Sequence, residues 1–225
     1  MSEQQAQFWT PREAMPQPKR QTNRTLIRSV SNSQHEILNW IQLLYCPGGF
    51  DLDCTYRIGG LYRNGVVTPR WKMDIAPRTR DTIPADVTAL PFKSGSLKAI
   101  IFDPPFFAAG STKSNLRMKY GGFKTMDALW DMYRLSLQEI YRVLRIGGVL
   151  VFKCQDSVYG RKQYLVHADI IKYAQSINFY AQDLFVSLAS HVAIAWNHGR
   201  QVHARKFHCY FIVFEKKRRF IKTLD

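Results

Sequence analysis

The apolar run Ala99-Ile100-Ile101-Phe102 passes without a break into Asp103-Pro104-Pro105-Phe106. Such a run, stopped by an acid and two prolines, reads as a buried strand with an abrupt end. Each proline fixes its own φ and lacks an N–H, and Pro105 also keeps Pro104 extended. The loop that follows is therefore stiff. It carries one carboxylate and one aromatic ring at the carboxyl end of a strand, the edge where open α/β sheets bind ligands. Asp103 and the Pro104 carbonyl can accept the hydrogens of an exocyclic amine, and Phe106 can stack on a flat heterocycle. The plainer alternative is an Asp-Pro turn with a core phenylalanine, and the rest of the chain has to decide between them.

The 225 residues suffice for one sizeable domain with a full hydrophobic core. Lys and Arg number 32 against 17 Asp and Glu, a formal net charge of +15. An excess of that size calls for a polyanionic partner, nucleic acid first and an anionic membrane second. No run approaches the ~18 apolar residues of a membrane span, and no apolar signal region opens the chain. Cys46, Cys54, Cys154 and Cys209 are scattered without a C-x-x-C pair. That pattern predicts buried thiols in a reducing cytoplasm and no structural zinc. His198, His203 and His208 lack metal-ligand spacing, so no metal is expected.

Residues 1–30 are polar, basic and without period, which predicts a flexible N-terminal arm ahead of a single domain over 31–225. From Asn32 the pattern is helical, with Ile37, Leu38, Ile41, Leu44 and Tyr45 on one face, Ser31 or Asn32 as cap, and Pro47-Gly48-Gly49 as stop. Short strands are expected over Phe50–Thr55, Val66–Ile75 and Ile83–Leu90, and a fuller one over Leu97–Phe102. Phe107 to Thr125 reads as a long loop. Met126–Arg145 is the clearest helix, stopped by Gly147-Gly148. Val149–Cys154 reads as a fully apolar strand, covered on both faces. A helix over Asp169–Ser176 and strands over Ala181–Leu188 and His208–Phe214 complete the chain. The alternation predicts an α/β fold, a doubly wound, mostly parallel sheet with an antiparallel edge strand.

Asp53, Asp74 and Asp86 fall at predicted strand ends ahead of the Asp103 loop. An acid some twenty residues past a glycine turn is where nucleotide-binding sheets hydrogen-bond a ribose, and Asp74 lies close to that spacing from Gly59. Asp86, one strand further on, would reach an adenine amine. Gly59-Gly60 would let the backbone approach a ligand. Taken singly, each acid also makes sense as a turn or cap residue.

In this order the motifs resemble the S-adenosylmethionine-dependent DNA amino-methyltransferases of D-P-P-F type, which act at adenine N6 or cytosine N4. The resemblance runs from about Ser31 to Lys217. Leu52-Asp53-Cys54-Thr55-Tyr56-Arg57-Ile58-Gly59-Gly60 is similar to the family's cofactor motif. Asp86-Val87-Thr88-Ala89-Leu90-Pro91-Phe92, leading to Asp103-Pro104-Pro105-Phe106, is similar to its middle. Glu139 to Gly148, then Val151-Phe152-Lys153, resembles the helix–Gly-Gly–strand segment.

The resemblance implies a Rossmann-like methyltransferase sheet with S-adenosyl-L-methionine as cofactor. Asp53, Thr55, Gly59, Asp74 and Asp86 would bind it, and Asp103, Pro104, Pro105 and Phe106, with Phe107 beside them, would be catalytic. Lys113, Arg117, Lys119 and Lys124 would hold phosphate beside the pocket. Arg200, His203, Arg205, Lys206 and the run Lys216 to Arg219 would extend that track. Without the family's frequent extra recognition region, recognition is expected from loops, tails or a partner.

The chain departs from the family at Arg57, where the motif has its first glycine. That side chain either crowds the methionine end of the cofactor or tilts outward onto an anion. The sequence thus leaves three readings: a DNA amino-methyltransferase, an RNA base methyltransferase, and a non-catalytic nucleic-acid-binding protein on the same fold.

Overall fold

The computed structural model describes residues 26–106, 108, 123–189 and 202–218. Its elements in chain order are β1 (Val30–Ser31), α1 (Gln34–Tyr45), β2 (Leu52–Asp53), β3 (Trp71–Asp74), β4 (Ile83–Pro84), β5 (Leu97–Phe102) and α2 (Met126–Val143). There follow β6 (Leu144–Cys154), β7 (Ser157–Tyr159), β8 (Lys162–Tyr164), α3 (Val166–Ser176), β9 (Phe179–Leu188) and β10 (His208–Lys216). The continuous apolar run Val149–Phe152 forms the buried heart of β6, covered on both faces, while the 3.6-residue periodicity of α1 and α2 turns one face of each to the core.

Eight strands form one sheet in the order β1-β9-β10-β6-β5-β2-β3-β4. All neighbours pair parallel except β10, which runs antiparallel to both β6 and β9. This is the doubly wound, Rossmann-like sheet expected, with its antiparallel strand towards one edge. The core lies on both faces. Ala99 and Ile101 of β5, with Val149 and Val151 of β6, pack under α1. Ile100, Phe102, Leu150 and Phe152 pack under α2 and α3. The chain winds outward through β2, β3 and β4, then returns to β5 on the other side of β2. The crevice at that reversal, between β2 and β5, is where a doubly wound sheet binds ligands.

Several boundaries differ from the sequence reading. Ser33, rather than Ser31 or Asn32, caps α1, its side chain accepting the Glu36 N–H. α2 ends at Val143, because β6 already begins at Leu144. Gly147-Gly148 therefore sits inside β6, at a register shift against β5, and not at a helix end. Gly147 has φ 73°, and a Cβ at Gly148 would stand 2.8 Å from the Arg145 carbonyl oxygen, so both glycines serve the bulge. The three short strands shrink to Leu52–Asp53, Trp71–Asp74 and Ile83–Pro84, with only turns and bends over 54–70 and 85–96. β1 straddles the expected end of the N-terminal arm; residues 1–25 lie outside the described part. The β7–β8 hairpin has no counterpart in the sequence reading. Its turn residues Gly160 and Arg161 have φ 57° and 64°, the paired left-handed geometry of a tight two-residue turn.

Candidate functional site at the sheet reversal

Asp53 ends β2 and is 1% exposed. Its Oδ1 accepts the Thr55 N–H at 2.8 Å and the Thr55 hydroxyl at 3.2 Å, and its Oδ2 accepts the Tyr62 hydroxyl at 2.8 Å. Burial pushes this carboxyl up to about 7, against the hydrogen bonds from Thr55 and Tyr62, with the charge of Asp103 adding to the rise. Asp53 is thus turned inward, onto Thr55 and Tyr62. Thr55 Oγ1 in turn accepts the Asp103 N–H at 2.8 Å. One hydroxyl therefore spans the crevice and couples the carboxyl ends of β2 and β5.

The turn after β2 is held by Asp74 at the end of β3. Asp74 Oδ2 accepts the Arg57 N–H and Oδ1 the Ala76 N–H, at 2.9 and 2.8 Å. Each oxygen takes one backbone donor and keeps a lone pair, as a vicinal diol would need. Arg57 has φ 50°, the left-handed region that accounts for glycine at this position of the motif. Gly59 also has positive φ, and a Cβ there would stand 2.4 Å from the Tyr56 hydroxyl oxygen. At Gly60 a Cβ would meet nothing within 4 Å, so of this pair only Gly59 is required by its surroundings. Asp86, just beyond β4, accepts the Thr88 N–H and hydroxyl, both at 2.8 Å. The turn roles foreseen for the single acids are thus real. Asp74 closes β3 at its carboxyl end, and Asp86 lies just past the carboxyl end of its parallel neighbour β4.

The Asp103 loop is anchored from below and from the side. Pro104 is buried, and the Pro105 carbonyl accepts the Tyr133 hydroxyl of α2 at 2.7 Å. Asp103 Oδ2 lies 3.0 Å from Lys153 Nζ, which also donates to Gln34 Oε1 at 3.3 Å. Lys153 is 9% exposed and stands 5.5 Å from the ring centre of Phe106. A cleft of about 500 Å3 opens beside them, lined by Gln34, His35, Phe106, Lys153, Gln155 and His208 among others. The sheet reversal thus separates two regions. Asp53, Asp74 and Asp86 lie on one side and this polar cleft on the other, with Asp103 between.

Sequence reasoning missed Lys153, Gln34 and Tyr133. The signal for Lys153 was present: a lysine in a strand read as fully apolar is itself a demand for a buried carboxylate. Gln34 and Tyr133 carried none, because each meets the loop only through tertiary packing.

Of the residues expected on a phosphate track, Lys113, Arg117, Lys119, Arg200 and Arg219, with Phe107 and His198, lie outside the described part. Lys124 and Arg205 are exposed and Lys206 is half-buried. The β7–β8 hairpin stands near both segments: the Tyr159 hydroxyl donates to the Lys124 carbonyl at 3.0 Å, and His203 Nε2 lies 2.8 Å from the Arg161 carbonyl. Lys216 does not belong to the track. It is buried, and its ammonium donates to the carbonyls of Tyr141 and Leu144 at 2.6 and 2.7 Å, tying β10 to the end of α2. Lys217 pairs with Glu215. Cys46, Cys54 and Cys154 are buried thiols as expected, while Cys209 is half-buried. Among the described residues no three His, Cys, Asp or Glu cluster as metal ligands, and no helix is long and apolar enough to cross a membrane.

No family model and no curated protein sequence matches this chain. Solved structures do resemble it. One is a protein assigned as a DNA modification methylase from Thermus thermophilus, complexed with S-adenosyl-L-methionine. It is 19% identical with a TM-score of 0.43, over 63% of this chain and 57% of that one. This chain thus matches little more than half the length of the Thermus protein. A complex of the Haloferax volcanii Trm112 methyltransferase activator with a methyltransferase gives 15% identity and a TM-score of 0.49, over 83% and 91% of the two chains. The N-methyltransferase NodS of Bradyrhizobium japonicum gives 11% and 0.46, over 82% and 96%.

Proposed function

We propose that the chain transfers a methyl group from S-adenosyl-L-methionine to the exocyclic amine of a base in DNA, at adenine N6. The observation that carries this reading is Asp103. The residue follows β5 at the crevice where the sheet reverses, its backbone N–H donating to Thr55 and one carboxylate oxygen accepting from Lys153. A stiff proline loop with a half-buried Phe106 follows it.

The residues present fit the cofactor. Asp74 keeps a lone pair on each oxygen for the ribose diol, Asp86 lies one strand further for the adenine amine, and the turn at Gly59 brings backbone close. The bound cofactor supplies an electrophilic methyl on a sulfonium. Asp103 Oδ1 accepts one hydrogen of the target amine and the Pro104 carbonyl the other. Held this way, the nitrogen lone pair turns out of ring conjugation toward the methyl carbon, so the chain contributes mainly orientation and fixed charge. The new N–C bond forms as the C–S bond breaks, with its electron pair going to sulfur. The nitrogen, now cationic and acidic, gives its extra proton to Asp103 Oδ1 and from there to water.

Phe106 stacks on the base. In duplex DNA the base must leave the helix, at a cost of about a few kcal/mol that stacking and pocket hydrogen bonds offset. Lys124, Arg161, Lys162, Arg205 and Lys206 hold the phosphates around it. The charge of +15 suits that polyanion, and the unpaired thiols suit the cytoplasm.

Methyl transfer from labelled cofactor tests the reading, with duplex DNA, single-stranded DNA and RNA compared in parallel, followed by nucleoside analysis. N6-methyladenine in DNA supports it. Transfer to RNA alone would move the substrate assignment, and no transfer to any polymer would leave a nucleic-acid-binding protein.

A further inference from the structure

Lys153 is out of place in β6. Its strand neighbours Val151 and Phe152 are fully buried, and it is itself 9% exposed. A buried ion pair is a weak device for stability, since an apolar side chain of similar volume serves a strand as well or better. What an ammonium does that an apolar chain cannot is hold one oxygen of a carboxylate. Strand alternation puts Lys153 on the α1 face with Val149 and Val151. There it meets Asp103 Oδ2 at 3.0 Å and Gln34 Oε1 at 3.3 Å, with the ring centres of Phe106 and Phe211 each 5.5 Å away. Asp103 is gripped at its other end by Thr55, 2.8 Å from its N–H. The two grips leave Oδ1 for the acceptor.

We propose that Lys153 is a positioning residue for the transfer reaction, its ammonium holding Asp103 Oδ2 and one face of the Phe106 ring so that Oδ1 and the other face meet the acceptor base. This inference rests on the methyl-transfer reading above. The groups facing the ammonium are Asp103 beyond β5, Asp53 on β2, Cys209 and Phe211 on β10, Gln34 on α1 and Phe106. Burial lowers its proton affinity, but Asp103 and, less directly, Cys209 and Asp53 outweigh this, so the net shift is upward and the amine stays charged at neutral pH.

The experiment compares purified full-length wild type with Lys153→Met, a side chain of similar reach without the charge. Methyl transfer should fall roughly 10- to 100-fold in kcat, as misplacement of a reacting group does. KM for DNA and cofactor should stay within about threefold, less than the tenfold that ~1.4 kcal/mol represents. A kcat within threefold of wild type would overturn the inference and leave the proposed function standing. Equal losses in KM and in thermal stability would also overturn it, as the mark of a merely structural lysine. A second measurement needs no turnover: the 13Cε signal of Lys153 should titrate at lower pH in Asp103→Asn than in wild type, and an unchanged titration would show that the pair does not hold in solution. Wild-type protein inactive on every polymer overturns the proposed function, and the catalytic use of the pair with it.

Discussion

Thr55 links the Asp53 carboxylate to the backbone N–H of Asp103, and the two acids respond differently to substitution. Asp53 holds its proton more tightly folded than unfolded, so between about pH 4 and pH 7 the native state binds more protons than the unfolded chain. Stability should therefore fall as pH rises through that window and level off above it. Asp53→Asn keeps an acceptor for Thr55 and should flatten the fall; thermal unfolding from pH 4.5 to 8 reads the two slopes. Asp103→Ala should abolish transfer, but it also strands the Lys153 ammonium, at a cost of about 3 kcal/mol. Asp103→Asn should be as inactive and nearer wild type in melting temperature. At Arg57 the left-handed φ predicts that Arg57→Gly gains about 0.5–1 kcal/mol in unfolding free energy. Cofactor affinity by calorimetry should change less than about threefold, below the ~1.4 kcal/mol of a tenfold change, while nucleic-acid binding weakens. A large gain in cofactor affinity would instead identify Arg57 as an obstruction in the pocket. At this scale the sequence singled out Asp103 by its position after an apolar run and Asp74 by its spacing from Gly59, and hid the inward turn of Asp53 onto Thr55 and Tyr62.

Elements whose pattern repeats over several turns or strand residues were legible, whereas the two-residue strands at Leu52–Asp53 and Ile83–Pro84 were placed but read too long. β5, α1 and α2 each bury a continuous face, so periodicity locates them to within a few residues, while β6 starts five residues before its expected Val149. Leu52–Asp53 and Ile83–Pro84 earn strand geometry only from parallel neighbours, which no local pattern records. The β7–β8 hairpin was hidden for another reason. Its turn is Gly160-Arg161, with the bulky residue second, and not the Asn-Gly or Asp-Gly pair that flags such turns. That arginine is exposed at the tip, beside Lys162. Arg161→Gln with Lys162→Gln should weaken DNA binding and lower the salt slope by about one to two, since each cation withdrawn from a phosphate removes about one. Fluorescence anisotropy between about 50 and 200 mM salt spans the range in which such pairing shows; parallel lines for the two proteins would take the hairpin out of the interface. In α2, Tyr133→Phe should cost about 1 kcal/mol because the Pro105 carbonyl loses its hydroxyl donor, seen in denaturant midpoint.

The molecule is uneven about its crevice. On the Asp103 side β6, β9 and β10 pair over long ladders, with α2 and α3 beneath. On the acid side β2, β3 and β4 are short, and turns alone connect β2 to β3 over 54–70. The acid side should open more readily, and a ligand that binds there should show as protection of its amides. S-adenosyl-L-methionine at about 100 times its Kd should raise unfolding free energy by about 2.7 kcal/mol. Hydrogen exchange should slow chiefly over 54–86, and slowing confined to β9 and β10 would put the ligand elsewhere.

Because β10 lies between β9 and β6 in the described sheet, that sheet cannot be closed in the order in which the chain emerges during synthesis. β9 leaves the ribosome with neither neighbour but β1 beside it, and waits for His208–Lys216 before it can attach to the rest. Until then β6 presents a bare apolar edge, the kind of surface that recruits chaperones or a second nascent chain. The cleft beside Phe106 takes wall residues from β9, β10 and the end of β6, so it is assembled last. A chain stalled before Phe207 would carry Asp74 and Asp86 in place while the cleft still lacked His208 and Cys209.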